Sequence, residues 1–441
     1  MNDSKNLKRG NKTKITVAVF SLFGVFVIAS GAWFWSMSSV PNSVIPTHSV
    51  PNPNALDTFA TAASLVLDET KMDYARSSKH TGRTFDDHEY TLTEMDALLA
   101  ENEPALKLFR EGMTQEYMTP PIRSSKTLLP YLAGQRKLAR LLAFAAVVHG
   151  KHGDWKKALE TRIEGVELGD RTKTGGVLIH DLVGVAIQAI VERGSFSEVD
   201  HLTGTEAKQL ALKLQSIIEK EPSFTEILQE DSYAGQANML EIIRESKTYN
   251  DVYQLFNNSQ NSTNNANPQA HALALRYLFS DKRKIVRDYK SYMKAQIVNS
   301  RLPYAEHPLE PKIPTDPLSE LTLSVFTDAR FKDLQLKSST RMLLLALALQ
   351  AYKAEHGAYP ETLSKLVPEI LAKEPDDFFA KTGGFGYRRD KERYILYSVG
   401  PDGIDNGGRA IIDSSQPANS TLRTYPQVNS KGDILLGTNV K

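Results

Sequence analysis

The sequence predicts an α+β protein with one membrane anchor near its amino terminus, and three observations lead to this prediction. An uncharged, mostly apolar run lies at residues 15–35, apolar residues recur at helical spacing over 55–300, and short strand patterns follow only near the carboxyl end. At 441 residues the chain also exceeds the usual domain size of about 100–200 residues. We therefore expect more than one folded unit.

Composition excludes several classes of function. Lys and Arg number 53 against 52 Asp and Glu, so the net charge is +1 and we expect no nucleic-acid partner. The absence of cysteine excludes disulfide scaffolds, thiolate metal sites and cysteine nucleophiles. The sequence contains no zinc-protease, phosphate-loop or serine-elbow motif. These absences favour a protein without a standard catalytic site.

Residues 15–35 form the predicted transmembrane anchor. Ile15 to Phe34 carries no charge and Trp35 extends it, a length that crosses about 30 Å of hydrocarbon at about 1.5 Å per residue. The tail 1–14 carries five Lys or Arg residues, so the positive-inside rule keeps it in the cytoplasm and exports the rest of the chain. The alternative is a cleaved signal peptide, whose apolar core is typically about 7–15 residues, with small residues at 29–32 imitating a cleavage site.

Two proline-rich segments divide the exported part. Residues 36–54 contain four prolines and form a predicted extended spacer, and residues 301–317 contain five prolines and form a predicted linker. Between them, residues 55–300 form the predicted all-α region, with a polar loop at 257–267. The predicted α+β module spans residues 318–441.

Two features of the all-α region allow more than one interpretation. Residues 146–169 pattern as a helix, a Gly-Asp-Trp turn and a helix, which resembles one tetratricopeptide-type unit. No second copy follows, so an ordinary helical hairpin is the simpler interpretation. A basic group also occurs at 282–287, and a solvated helix face is its simplest interpretation. Its members are Lys282, Arg283, Lys284 and Arg287.

The carboxy-terminal module carries the most specific pattern in the sequence. A predicted long helix over 318–355 stops at the Gly-Ala-Tyr-Pro run 357–360, and a predicted hairpin follows at 387–399. The second strand reads Tyr-x-x-Tyr-Ser-x-Gly from Tyr394 and continues into an Asp-Gly and Gly-Gly loop. In this order, the pieces resemble the globular domain of the major pseudopilin of type II secretion systems. The resemblance implies a long helix packed on a small antiparallel sheet.

The amino terminus departs from the pseudopilin pattern. Gly10 is not followed by the aromatic residue and glutamate of a prepilin-peptidase substrate, and the anchor ends at residue 35 whereas the module begins at 318. We therefore expect neither processing nor polymerisation as a pilus subunit. The whole chain looks like a membrane-anchored bacterial protein that carries this module. We expect a single-pass inner-membrane protein with a structural or interaction role in the periplasm and partners in the cell envelope, such as secretion or pilus-type machinery.

The resemblance also implies a calcium site in the loop after the second strand. Matched residue by residue, its ligands are the carbonyl of Val399 and the carboxylate of Asp402. The family's later acidic ligands fall on residues 409 and 410, which are not acidic here. Asp405, Asn406 or Asp413 could substitute, and the Asp402-x-x-Asp405 spacing favours Asp405 in an oxygen-rich loop that suits Ca²⁺. The alternative is plain turn chemistry, in which the Asp-Gly and Asn-Gly pairs only form turns.

Buried polar residues suggest an alternative function, a periplasmic hydrolase with its site in the helical region. His180 and Asp181 lie within an apolar helical pattern, and Glu164 is a third candidate. A histidine beside a carboxylate can act as a general base. A hydrogen-bonded core histidine is the simpler interpretation of His180. We therefore assign no catalytic residue from the sequence.

Overall fold

The computed structural model describes residues 40, 43–76, 90–259, 267–306, 311–323, 326–412 and 426–435. These residues are mostly helical and include a three-stranded antiparallel sheet, which confirms the α+β class. None of the described helices has the length and apolar character needed to span a bilayer. The predicted anchor at 15–35 lies outside the described residues.

The helices follow one another along the chain, and several of the connections between them are only a few residues long. In order they are α1 (Ala55–Ser64), α2 (Glu69–Arg76), α3 (Leu92–Glu101), α4 (Glu103–Met113), α5 (Tyr131–Lys151), α6 (Trp155–Lys173), α7 (Leu178–Glu192), α8 (Ser195–Val199), α9 (Gly204–Ile218), α10 (Phe224–Glu245), α11 (Tyr249–Ser259), α12 (Pro268–Leu278), α13 (Lys282–Asn299), α14 (Pro317–Thr322) and α15 (Phe326–His356). Within the described part of 55–300 there is no strand, as predicted.

Helices α5, α6 and α7 pack together closely, and α5 and α6 form the predicted helical hairpin. The contact between α6 and α7 depends on two glycines. A Cβ on Gly169 would lie 2.9 Å from the carbonyl oxygen of Gly184, and a Cβ on Gly184 would lie 2.6 Å from that of Gly169. Added side chains would collide with backbone there, so the two helices can approach closely only because both positions are glycine. Gly184 also leaves room for the aliphatic stem of Lys173.

The long helix α15 passes through the core of the molecule. It packs against α7, α8 and α9 as well as against the sheet. Every residue from 342 to 349 is at most 2% exposed. A helix that is buried on all sides must be surrounded by other elements, in contrast to an amphipathic surface helix. The helical region and the carboxy-terminal module therefore share one apolar core.

The predicted long helix over 318–355 is divided into two helices. α14 ends at Thr322, where Leu323 adopts an extended backbone with φ −80° and ψ 129°. This conformation stops the helical hydrogen-bond pattern, so α14 can pack against α10, α12 and α13 in a second apolar cluster. α15 then begins at Phe326.

The sheet contains the predicted hairpin. Its strands are β1 (Gly386–Asp390), β2 (Arg393–Ser398) and β3 (Ile434–Leu435), in the order β1-β2-β3 with antiparallel pairing. Tyr394 and Leu396 of β2 are buried, which fixes the face that packs on α15. At the end of α15, Gly357 has a φ of 75°, as expected of a glycine C-cap.

The described part of the predicted linker 301–317 packs against the rest of the chain. Tyr304 contacts Phe331 of α15 at a ring-centroid distance of 6.1 Å and Phe379 of the module at 5.1 Å. These aromatic contacts place the linker in the same core as the helices and the sheet.

Candidate functional site

A group of buried charges lies where α6, α7 and α15 meet. The Nζ atom of Lys173 lies 3.1 Å from Asp333, 3.8 Å from Asp170 and 3.9 Å from Asp181. The Nζ atom of Lys337 lies 3.0 Å from the other oxygen of Asp333. Each of the five residues is at most 7% exposed. We term these five residues the buried charge cluster.

The cluster contains three carboxyl groups and two ammonium groups, so it is neutral when one carboxyl is protonated. Burial and the carboxylate of Asp333 raise the pKa of Asp181. Burial alone would raise the pKa of Asp333, but the charges of Lys337 and Lys173 hold this pKa below its ordinary value. Neither oxygen of Asp181 has a hydrogen-bond partner in the described part of the chain, and a proton on Asp181 would let it donate to Asp333. Asp181 is therefore the protonated member.

Two carboxyl groups titrate in a range that makes stability sensitive to pH: Glu192 near the buried charge cluster and Asp170 within it. Glu192 on α7 accepts hydrogen bonds from the hydroxyl groups of Ser339 and Thr340 on α15. Burial raises the pKa of Glu192 to about 7. Burial also raises the pKa of Asp170 to about 6, although Lys173 opposes this shift. Asp170 lines a surface cleft of about 790 Å³ between α6 and α9, which gives protons a route to the edge of the cluster.

These shifts predict that the protein loses stability as the pH rises. A carboxyl group with a raised folded pKa stabilises the fold fully below its unfolded pKa and less as the pH rises through the folded value. For Glu192 this pH window runs from its ordinary pKa of 4.5 to its pKa of about 7 in the folded protein. We expect the melting temperature of the full chain to fall across this window and Glu192→Gln, which stays neutral, to reduce the fall. The exposed Glu219→Gln should leave the slope unchanged; equal slopes for wild type and Glu192→Gln would contradict the assignment.

His180 and Asp181 are adjacent in sequence, but their side chains contact different groups. His180 Nδ1 accepts the N–H of Val177 at 3.3 Å, and Nε2 lies 2.8 Å from the hydroxyl of Tyr131. The proton is therefore on Nε2, which donates to Tyr131. Burial lowers the pKa of His180 to about 4, so the ring is neutral near pH 7. His180 has the features of a hydrogen-bonded core histidine.

The third hydrolase candidate lies elsewhere. Glu164 on α6 pairs with Arg110 of α4 at 3.3 Å, whereas Asp181 faces Lys173 in the buried charge cluster. The structure thus does not bring Glu164, His180 and Asp181 together.

The predicted calcium ligands lie in a loop that its own hydrogen bonds hold together. Asp402 accepts two backbone N–H groups, at 3.2 and 3.3 Å. Asp405 accepts one backbone N–H at 2.8 Å and the hydroxyl of Tyr397 at 2.9 Å. Val399 donates its N–H to the buried carboxylate of Asp377 at 2.9 Å. These bonds leave acceptor capacity on Asp402 and Asp405, so the residues retain oxygen atoms that a cation could bind. Asp413 lies outside the described residues.

Sequence reasoning missed the residue that organises this loop. Asp433 is fully buried and accepts the backbone N–H groups of Asn406, Gly408 and Arg409 at 2.7–3.1 Å. A carboxylate that accepts three backbone donors fixes the loop much as an anion in a backbone nest does. An aspartate in a Gly-Asp pair gives no sequence signal for this role, because the paired loop lies 24 or more residues away.

One other group has the composition of a metal site. Among the described residues, Glu355, His356 and Glu369 are the three acidic or histidine side chains whose donor atoms lie within 4.8 Å of one another. All three are exposed. His356 Nε2 lies 2.6 Å from Glu369, and Glu355 pairs with Lys208 at 3.2 Å. These surface ion pairs account for the grouping, and none of the predicted calcium ligands belongs to it.

The chain matches no protein-family model, no curated protein and no solved structure. The pseudopilin resemblance therefore stays a prediction that rests on the residues quoted above.

Proposed function

We propose that the chain is a non-enzymatic, single-pass inner-membrane protein whose periplasmic part acts as an interaction scaffold in the cell envelope. In this proposal residues 15–35 anchor the chain, residues 1–14 stay in the cytoplasm, and the pseudopilin-like module contacts partners of the secretion or pilus type. The supporting observation is that the buried charge cluster joins helices: Lys173 and Asp181 of the helical region face Asp333 and Lys337 of α15.

This arrangement supports a module held in one orientation to the rest of the molecule. Separating α15 from α7 and α9 would expose the apolar side chains that these helices bury against one another, and this loss of apolar burial opposes the separation. A scaffold benefits from such a fixed geometry because less conformational entropy is lost when a partner binds. Exposed apolar residues in the module offer contact points: Ile404 and Ile412 are each 59% exposed.

The experiment is site-specific photo-crosslinking of the tagged, full-length protein in cells. A photoreactive amino acid is placed at Ile404 in the module or at Leu128, an 84% exposed residue of the helical region that serves as the control position. We expect capture of secretion or pilus-assembly components from position 404 and not from 128. Capture of the same proteins from both positions, or of none from 404, would contradict the assignment. Substrate turnover that a single side-chain change abolishes would favour the hydrolase alternative.

In the same proposal, the carbonyl of Val399 and the carboxylates of Asp402 and Asp405 bind Ca²⁺ and stiffen the loop after β2. We expect millimolar calcium to raise the melting temperature of the full chain above its value in chelator. Asp402→Ala should remove this difference, because binding of the ion depends on the charge and number of its oxygen ligands. Ile404→Ala in the same loop, which keeps every proposed ligand, is the matched control. Identical melting temperatures of the wild type in calcium and in chelator would contradict the proposed calcium site.

A further inference from the structure

The exposed face of α13 carries a continuous row of basic residues. Arg283, Arg287, Lys290 and Lys294 are all exposed and follow one another at four-, three- and four-residue spacing. This spacing places them on one face of the helix. The one acidic residue of α13 is Asp288, which is only half-buried and lies beside Arg287. We term these four basic residues the α13 stripe.

Exposed aliphatic side chains accompany the α13 stripe. Val298, four residues after Lys294, continues the same face and is 50% exposed. Val44 is 96% exposed and directly follows Ser43, whose hydroxyl accepts a hydrogen bond from Lys290 at 2.9 Å. A helix face with Lys and Arg beside exposed aliphatic residues is typical of contact with a membrane surface, where the charges meet headgroups and the apolar side chains enter the interface.

The predicted spacer is attached to this side of the molecule. Besides the bond between Ser43 and Lys290, Ile45 packs on the apolar cluster that contains α10 and α13, and the carbonyl of Pro46 accepts a hydrogen bond from Arg123 at 2.7 Å. The chain therefore leaves the folded part at about residue 43, next to the α13 stripe.

The length of the remaining tether limits how the folded part can be oriented. Trp35, where the predicted anchor ends, and Ser43 are eight residues apart. Eight extended residues span at most about 27 Å, whereas a compact body of about 400 residues is roughly 55 Å wide. With the proposed anchor, this reach restricts Ser43 and the adjacent α13 stripe to the half of the molecule nearer the bilayer.

We propose that the α13 stripe, together with Val44 and Val298, lies on the bilayer and binds anionic phospholipid headgroups. This inference rests on the proposed function for the anchor at 15–35, which supplies the end of the tether. A membrane is the occupant that the tether favours over nucleic acid, and the net charge of +1 for the whole chain offers no broader basic surface for a polynucleotide.

Because the chain contains no cysteine, a single introduced cysteine can be labelled with a fluorophore at a chosen position. Full-length protein is reconstituted into vesicles with and without anionic phospholipid, and a fluorophore is attached at Ser291→Cys beside the α13 stripe or at Lys391→Cys in the β1–β2 turn. Both positions are exposed. Lipids with a quencher on the headgroup report which label lies at the surface. We expect stronger quenching at 291 than at 391, and a larger difference in anionic vesicles.

A charge variant tests the stripe directly. The combined substitution Arg287→Gln, Lys290→Gln and Lys294→Gln should lower the quenching at 291 to the level seen at 391. Each basic residue near an anionic membrane increases the binding constant about five-fold. Removing three of them should therefore lower the binding constant on the order of a hundred-fold. A control variant removes three exposed lysines outside the stripe and should have no effect: Lys213→Gln, Lys220→Gln and Lys365→Gln. Equal quenching at 291 and 391, or an unchanged result in the stripe variant, would overturn the proposal.

Two further measurements test the proposed anchor and the proposed role of the α13 stripe separately. Release of the chain from membranes by alkaline carbonate would refute the proposed anchor. The released chain is then sedimented with anionic vesicles: binding that the stripe variant loses supports the stripe, and absence of binding overturns it. A short DNA duplex that binds through the stripe while vesicles do not would overturn the membrane assignment in favour of nucleic acid.

Discussion

Replacing Lys173 with methionine is expected to lower the free energy of unfolding by about 3–5 kcal/mol, the usual result of removing one partner from a buried ion pair. Lys173 is fully buried and is the ammonium group that Asp333, Asp170 and Asp181 share. Without it, Lys337 is the one ammonium group of the cluster left to balance the carboxylates of Asp333 and Asp170. The measurement is urea unfolding of the full chain in detergent, followed by circular dichroism.

The matched variants separate lost charge pairing from lost packing. Lys220→Met changes an exposed lysine and should alter stability by no more than about 0.5 kcal/mol. Asp333→Asn combined with Lys173→Met removes one charge of each sign, so the double variant should be more stable than the sum of the single effects predicts. Strict additivity, or a loss below about 1 kcal/mol for Lys173→Met, would contradict the account of the buried charge cluster.

Cutting the chain before the module is expected to have a still larger effect. Residues 318–441 expressed alone should remain unfolded, because the apolar face of α15 that packs on α7 and α9 would be exposed. Each fully buried leucine contributes roughly 1.5–3 kcal/mol, and α15 carries five leucines between 343 and 349. Exposing even half of them removes a large share of the roughly 5–15 kcal/mol that stabilises a domain.

The fragment experiment has a clear control. Co-expression of residues 36–317 with residues 318–441 should yield a folded complex that copurifies, because the two pieces together contain the whole shared core. Circular dichroism and a melting curve of each piece alone give the comparison. A cooperative melt of fragment 318–441 by itself would show that the module is an independent domain.

Local signals in the sequence predicted the types of element well. Helical spacing between 55 and 300, the glycine stop at 357 and the hairpin at 387–399 all depend on residues that are close in the chain, and the structure contains each of them. The break between α14 and α15 was missed because Leu323 has no helix-breaking side chain. Its extended backbone follows from packing against residues distant in sequence.

The candidate site depends on long-range contacts that periodicity does not reveal. Lys173 and Asp333 are 160 residues apart, and each lies on a helix where charged residues are ordinarily solvated. The burial of Lys173 depends on the close approach of α6 and α7 at Gly169 and Gly184, and Asp333 lies on α15, which packs against α7. No local sequence pattern indicates either contact. His180 and Asp181 were noticed because they interrupt an apolar run, but the sequence could not show that they face different neighbours.

The claim that the helical region and the module form one folded unit is tested most directly by following both during unfolding. Trp155 of α6 reports on the helical region once Trp33 and Trp35 are changed to phenylalanine, since these are the three tryptophans of the chain. A fluorophore at Lys391→Cys reports on the sheet. We predict coincident urea transitions for the two probes, as two-state unfolding requires. Two separate midpoints would contradict the shared core and make the module a domain of its own.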